Sequence, residues 1–460
     1  MENMRENLFY EQKNGYDRID TEQRLNIEAY CRDYMEFLNE ARTEGEAVRY
    51  AVEKAEELGF RAYQPGVTLV PGDRIYRINR GKALMLAVIG KESLEQGAVI
   101  AGAHIDSPRL DLKQIPMYEQ DELCYFRTHY YGGIKKYQWV TIPLELHGVA
   151  ALKNGETVEI CIGREPGEPK FVITDLLPHL AADQMKKTMA EGITGEGLNI
   201  LIGIVPYADD GKDRVRLAVL SLLNDAYGIT EEDFLSAELT AVPAFDVCEI
   251  GLDRSMIGGY GHDDRVCAWA ELKAIFDLET PRRTCVCILA DKEEIGSEGV
   301  SGMQSSAFDC FMEDLCEGQH VALRRCLENS FCLSADVSAA FDPLYPEVSE
   351  KRSESKINYG LAICKYTGAR GKSSTSDASA EIVGYLRGLF EREQVIWQMA
   401  EMGKVDQGGG GTIAKYMANR NIDTIDAGVP VLSMHAPFEV VAKLDCYMTY
   451  KGVLAAYSDD

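Results

Sequence analysis

Apolar positions in the first sixty residues fall at helical spacing. Ile27, Tyr30, Cys31, Tyr34 and Leu38 recur every three or four residues, which puts them on one face of a helix. Thr43 and Glu46 form a capping-box pair, the signature of a second helix start. Val48, Ala51, Val52, Ala55 and Leu58 continue as its buried stripe, and Gly59 stands where a helix stops. Two continuous apolar runs, Ala83–Ile89 and Ala98–Ala103, then predict short buried strands. From about residue 115 to 245 the texture changes. Lys153-Asn154-Gly155-Glu156 between apolar runs is a hairpin signal, and Val158–Ile162 and Phe171–Ile173 read as strands. This stretch is expected to be an insertion of mostly β character with one or two helices. From about 246 onward strand and helix alternate. Cys285–Leu289, Phe331–Leu333 and Val429–Leu432 are of buried-strand type, and Arg265–Leu278 and Ala380–Met402 are of helical length. Such alternation predicts an α/β layered domain with a largely parallel sheet.

Charge narrows the function. The 460 residues hold 48 Lys and Arg against 74 Asp and Glu, a net charge of −26. A nucleic-acid or anionic-membrane binder needs a positive field, so both classes are disfavoured. No run approaches the roughly 18–20 apolar residues that span a bilayer. The polar, acidic N-terminal segment reads as neither signal nor transit peptide, so a cytoplasmic protein is expected. The 13 cysteines contain no C-x-x-C pair and mostly lie in apolar runs, as expected of reduced core thiols. Trp139, Trp269 and Trp397 are read as core residues.

The chemistry stands at the ends of the predicted strands. Ala98–Ala103 runs into His104 and Asp106, and Cys285–Ala290 into Asp291-Lys-Glu293-Glu294. Phe331–Ala335 runs into Asp336, and Val429–Met434 into His435. Gly261-His-Asp263-Asp264-Arg265 precedes a helical pattern. In open α/β sheets ligands bind beyond the carboxyl ends of strands. Each element has an ordinary reading by itself: a hydrogen-bonded histidine, a helix N-cap, a solvated acidic turn, a core histidine. Together they put many ionisable groups after buried strands, where unpaired charge is costly. A shared metal centre accounts for all of them, and two histidines among carboxylates suit Zn²⁺, Mn²⁺ or Co²⁺.

Six ordered motifs carry a resemblance over nearly the whole chain. AGAHIDSPRLDLK, GHDDRVCAWAEL, DKEEIGSEGVSGMQS, SADVSAAFDP, YTGARGKSSTSDASAE and VPVLSMHAPFEVVAKLDCYMTYK resemble those of the aspartyl aminopeptidase family, which includes yeast aminopeptidase I. The resemblance implies a three-layer α/β/α metallopeptidase domain built from residues 1–114 and 246–460, with 115–245 inserted as a dimerisation domain. It implies two divalent ions per subunit, zinc first, with manganese or cobalt as alternatives. His104 would bind one ion and His435 the other, with Asp263 bridging, Asp336 on the His104 side and Glu294 on the His435 side. Glu293 would be the general base and Asp106 would hold the His104 ring. The choice of Asp263 over Asp264 rests on the family, since spacing leaves it open. The implied substrates are short peptides with a free N-terminus, and the implied assembly is a dodecamer built from dimers.

His179 resembles the histidine that family members send into a neighbouring active site, with a surface histidine as the alternative. Arg370 and Lys372 lie in what resembles a substrate-side loop, where a cation would pair with an acidic first side chain; the alternatives are a solvated loop and a neutral first residue. Many family members carry two histidines after the ligand aspartate; here those positions are Ala339 and Asp342. Gly408–Gly411 lacks the Gly-Lys-Ser/Thr ending of a P-loop and reads as a turn before a helix. Two competing readings are another two-metal hydrolase, such as a carboxypeptidase or deacylase, and a non-catalytic scaffold. The first would need a cation for the substrate carboxylate. The second would typically have lost a ligand or the base, and all six positions are present.

Overall fold

The helix Thr21–Glu40 buries Ile27, Tyr30, Cys31, Tyr34, Phe37 and Leu38, the face that the three-four spacing marks out. The next helix, Glu44–Glu57, opens on the expected reciprocal cap between Thr43 and Glu46. Its stripe ends earlier than expected: Leu58 is 45% exposed and Phe60 fills the buried place. Gly59 leaves the helix at φ +84°, a conformation that costs glycine nothing. These elements belong to a computed structural model that describes Met4 and residues 8–459. Part of the N-terminal segment read as lacking a targeting signal therefore lies outside the described residues.

A nine-stranded sheet forms the body. Its spatial order is Arg61–Ala62, Arg74–Asn79, Ala83–Val88, Cys285–Ala290, Val99–His104, Phe331–Ser334, Asp423–Gly428, Leu361–Cys364 and Trp397–Ala400. The four strands from Cys285–Ala290 to Asp423–Gly428 are parallel. Antiparallel pairs flank them on both sides, so the sheet is mixed, with five of its eight pairings parallel. Its central strands are buried on both faces. Cys285, Cys287 and Leu289 enter one core with the helices Thr21–Glu40, His262–Phe276 and Lys443–Ser458. Val286, Ile288 and Ala290 enter the other, with Ala307–Glu317 and Leu323–Glu328. Alternation of side chains along a strand explains why its pattern reads as one continuous apolar run.

Two predicted elements are corrected. The helix from Ala380 stops at Arg392; Gln394 turns the chain at φ +54° and Trp397–Ala400 is an edge strand. The run Val429–Leu432 yields the expected strand, Pro430–Leu432, but outside the central sheet. The central place is taken by Asp423–Gly428, and Pro430–Leu432 joins a small sheet with Cys248–Ile250, Met256–Gly259, Glu439–Ala442 and Ser338–Ala339. Asp423, Thr424 and Asp426 hide the central strand from an apolar pattern. Asp426 is tolerated inside because Ser334 Oγ donates to it at 2.9 Å and burial raises its pKa to about 7.

A separate six-stranded antiparallel sheet is built from one continuous stretch, between Arg109 and Pro243. The expected hairpin at Asn154-Gly155 joins Leu144–Ala151 to Thr157–Ile162. Phe171–Ile173 forms only isolated bridges, to Leu144 and Leu201. The sheet has its own core, which includes Trp139, Leu146, Ile160 and Phe234. Trp139 and Trp269 are buried and Trp397 is half-buried. All 13 cysteines are free and ten are buried, consistent with a packing role. No helix of the described residues is long and apolar enough to cross a membrane.

Candidate metal centre

The parallel register fixes the site. Ala290 pairs with His104, and Ser334 with Gly102, so three neighbouring strands end at one edge of the sheet. Past that edge the chain delivers His104 and Asp106, then Glu293 and Glu294, then Asp336. A short 3₁₀ turn, Glu293–Ile295, holds the glutamates, entered through Lys292 and left through Gly296, both left-handed. Asp263 arrives at the start of the helix His262–Phe276, joined to Asp264 by a cis peptide bond. His435 comes from the small sheet, in the turn between Pro430–Leu432 and Glu439–Ala442.

Asp263 is the pivot. Its Oδ1 lies 3.1 Å from His104 Nε2 and its Oδ2 lies 3.1 Å from His435 Nε2. Each imidazole is turned by its other nitrogen. His104 Nδ1 donates to the carbonyl of Asp106 at 2.9 Å, and His435 Nδ1 donates to the carbonyl of Gly133 at 2.8 Å. Both Nε2 atoms are thereby left to a ligand, the arrangement that metal-bound histidines need. His435 Nε2 lies 3.6 Å from Glu294 Oε1, and His104 Nε2 lies 3.9 Å from Glu293 Oε2. Ligand atoms of His104, Glu293 and Asp336 lie within 4.8 Å of one another, as do those of His104, Asp263 and Glu294. Asp264 faces elsewhere: its Oδ2 accepts the backbone N–H of His104 at 3.3 Å.

Asp106 differs from expectation. The His104 ring is held by its carbonyl, while its carboxylate stands 3.4 Å from Nδ1. The carboxylate instead accepts the N–H of Glu293 at 3.1 Å, the N–H of Glu294 at 3.2 Å and the Tyr131 hydroxyl at 2.7 Å. Glu439 is a site residue that sequence reading missed. Fully buried, it accepts the N–H of His435 at 2.7 Å and that of Asp263 at 3.1 Å. Gly132 and Gly133 were missed as well. A Cβ on the first would meet Glu294 Oε2 at 3.0 Å and on the second His435 Nδ1 at 3.3 Å. Glycine lets the end of the antiparallel sheet reach the centre.

The electrostatics favour a cation. Burial raises Glu293 to about 7 against the pull of His104, and raises Glu294 and Asp336 well above the carboxylate range. Burial acts the same way on Asp263, but hydrogen bonds from His104 and His435 outweigh it and hold it low. Burial opposes charge on His435, yet Asp263 carries it up to about 10. The field that draws a proton onto these rings also draws a divalent ion, which displaces the proton. Buried Glu294 Oε1 has no hydrogen-bond partner, as suits an oxygen reserved for an ion. The donor set of imidazole nitrogen and carboxylate oxygen fits zinc.

The other expected residues stand apart. His179 is exposed on the Pro178–Leu180 turn. Arg370 and Lys372 line a cleft of about 400 Å³ with Glu401, Lys404 and Gly408. Lys372 pairs with Asp377 at 2.8 Å and lies 3.8 Å over the Tyr366 ring. The glycine run is a loop before the helix Ala414–Ala418. Ala339 lies in a two-residue strand, and Asp342 caps a turn by accepting the N–H of Leu344 at 2.9 Å.

So many buried carboxyls around two rings aimed at one carboxylate are reconciled by a divalent ion, and on an α/β sheet they define a metal-dependent hydrolase. The aminopeptidase I zinc metalloprotease (M18) family model matches residues 37–457. The chain belongs to that family and is a zinc metallo-aminopeptidase. It is 47% identical to a Clostridium acetobutylicum protein named "Probable M18 family aminopeptidase 1", over 98% of this chain and 99% of that one. The crystal structure of an M18 aminopeptidase from Thermotoga maritima matches with TM-score 0.93 at 42% identity, covering 98% of this chain and 100% of that one. The S. cerevisiae mApe1 dodecamer shares the fold, with TM-score 0.76 at 19% identity over 94% and 96% of the two chains.

Proposed function

We propose that the chain removes the first residue from short peptides with a free α-amine, at a centre of two divalent ions. The observation that carries this reading is the placement of both Asp263 oxygens 3.1 Å from two different imidazoles. His104 and Asp336 would hold one zinc, His435 and Glu294 the other, and Asp263 both; Mn²⁺ and Co²⁺ are the alternative ions. When bound, the ions supply Lewis acidity and bring the pKa of a trapped water toward neutrality. Glu293 takes the proton from the attacking water and returns it to the leaving amine. Asp106 is a positioning residue that fixes the backbone of both glutamates. Arg370 and Lys372 are the cations for an acidic first side chain, and Lys372→Ala is then expected to lose more rate on Asp and Glu peptides than on Leu ones.

The stretch 115–245 is the dimerisation unit in this reading. Leu176, Leu177, Leu180, Met185 and Met189, exposed around His179, support it. Dimers would assemble to a dodecamer, and a native mass near that of one chain would reject this. The decisive test is release of the first residue from free and N-acetylated peptides by zinc-loaded protein. Cleavage confined to free amines supports the reading, and cleavage of blocked peptides rejects it.

A further inference from the structure

A second group of metal-ligand side chains lies where the helix Glu44–Glu57 meets the antiparallel sheet. His147 and Cys161 are register partners on adjacent strands, so their side chains stand side by side on one face. Glu145, two residues before His147, is on that face too. Glu46 reaches them from the helix. Its Oε2 is used by the cap, accepting the Thr43 N–H at 2.9 Å, and its Oε1 faces His147 Nδ1 at 2.7 Å. Cys161 Sγ lies 3.7 Å from the same nitrogen. The three ligand atoms lie within 4.8 Å of one another, and none belongs to the zinc centre described above.

The far side of the ring is built for a ligand role. Glu145 and His147 are buried, at 0% and 1% exposure. Glu145 Oε1 lies 3.2 Å from His147 Nε2 and 3.4 Å from Arg42 Nε, yet neither oxygen has a well-formed hydrogen bond. Nδ1 donates its proton to Glu46 Oε1 at 2.7 Å and Nε2 has no hydrogen-bond partner, so an ion on Nδ1 would displace that proton and leave the ring proton on Nε2, facing Glu145. One carboxylate, one thiol and an imidazole nitrogen converge on one point; burial opposes charge on His147 but Cys161, Glu145 and Glu46 raise it to about 11, and the same field would draw a divalent ion in place of the ring proton. A tetrahedral zinc would set nitrogen and sulfur about 3.5 Å apart, close to what is found, and would widen the 2.7 Å contact by about half an ångström. Carboxylate, imidazole and water-ligated zinc with a carboxylate behind the imidazole is a recurring build. Glu46 also lines an open cleft of about 830 Å³, which supplies an entry path.

We propose that Glu46, His147 and Cys161 hold one divalent ion of the zinc class, with solvent as the fourth ligand, pinning the helix to the antiparallel sheet. Glu145 is the positioning residue that fixes the His147 tautomer.

Cobalt tests this directly, because the catalytic ligands are nitrogen and oxygen and only a thiolate gives sulfur-to-cobalt charge-transfer absorption. Metal-stripped full-length protein is titrated with Co²⁺. The expected result is a near-ultraviolet charge-transfer band that is lost in Cys161→Ser and kept in Glu293→Gln. Zinc counted per chain in zinc-loaded protein is expected to fall by one in Cys161→Ser, and in Glu46→Gln combined with His147→Gln. Cobalt uptake without the band overturns the site, whether or not peptidase activity returns. A band that persists in Cys161→Ser, or an unchanged zinc count in both variants, overturns it equally; the cluster is then a protonated imidazole between carboxylates.

Discussion

The carboxylate of Glu439 accepts the backbone N–H of His435 at 2.7 Å and, with its other oxygen, the N–H of Asp263 at 3.1 Å. One buried side chain of the small sheet thus sets the separation of two groups that face each other across 3.1 Å. It holds the backbones of two proposed ligands. Glu439→Ala is expected to weaken metal binding or activity about 10–100-fold, the usual cost of removing a group that orients ligands. Glu439→Gln keeps one acceptor and should recover part of the loss. Competition with a chelator measures the affinity. Equal affinity in wild type and Glu439→Ala would sink the argument.

Asp106 allows a graded test. Its carboxylate takes two amide N–H groups from the glutamate turn and one hydroxyl from Tyr131. Asp106→Ala strands both amides next to the site, and a loss of about 10–100-fold in kcat/KM is expected. Tyr131→Phe removes one hydrogen bond of roughly 0.5–1.5 kcal/mol and leaves the turn seated, so a loss nearer tenfold is expected. Steady-state kinetics on one peptide rank the two variants. A larger effect from Tyr131→Phe would show that the hydroxyl acts on substrate instead.

Much of this centre was legible in the sequence because strand ends are chemically loud. An apolar run that breaks into His-x-Asp, into Asp-x-Glu-Glu or into Asp announces groups at the carboxyl edge of a sheet, and the register then gathers them. Glu439 and Gly132-Gly133 were silent for the opposite reason. Glu439 sits in a strand as one acidic residue among valines, and its partners are four and 176 residues away. The glycines matter only because two remote side chains come close. The central strand Asp423–Gly428 was masked by polar residues that find partners only in the fold, Asp426 with Ser334 among them. Asp106 was half legible. Its proximity to His104 follows from spacing, but the glutamate amides that occupy its carboxylate are nearly two hundred residues on.

The pH profile should expose Glu293. Burial raises it to about 7, and bound cations favour its ionised form, so the acid limb of kcat/KM is expected at or below about pH 7. In the proposed mechanism activity needs the carboxylate and therefore rises with pH through that limb. Glu293→Gln should lower kcat about 10²–10⁴-fold and leave zinc content intact. A retained acid limb with wild-type kcat in Glu293→Gln would assign the base elsewhere.

Metal removal should make stability pH-dependent. Burial holds Glu294 and Asp336 above the ordinary carboxylate range, so the metal-free folded state prefers their protonated forms. The unfolded chain ionises them near about pH 4. Above that pH the unfolded state binds fewer protons than the folded one, and metal-free stability falls as pH rises. In the proposed centre zinc binds the ionised carboxylates, so its stabilising effect is expected to grow from about pH 5.5 to about pH 8. At zinc near 100 times Kd the gain is about 2.7 kcal/mol for one site. Thermal unfolding with and without zinc at both pH values checks the sign. A gain that shrinks toward alkaline pH would contradict it.

Gly428 ties the sheet to Asp336, one of the proposed ligands. It ends the strand Asp423–Gly428, and a Cβ there would lie 1.9 Å from the carbonyl oxygen of Asp336 and 2.5 Å from its carbonyl carbon. Those are backbone atoms and cannot swing aside as a side chain would. Gly428→Ala must therefore push the Asp336 segment away, and overpacking of this kind costs roughly 1–3 kcal/mol. Asp336 and Gly428 separate at the edge where the site lies, so zinc content should fall along with the melting temperature. Gly384 supplies the control. It lies in the helix Ala380–Arg392 with nothing within 4 Å of a built Cβ, so Gly384→Ala should stabilise by up to about 1 kcal/mol and leave zinc unchanged. Melting temperature and zinc per chain are read on both variants. Full zinc and an unshifted melting temperature in Gly428→Ala would mean that the strand end yields without moving Asp336.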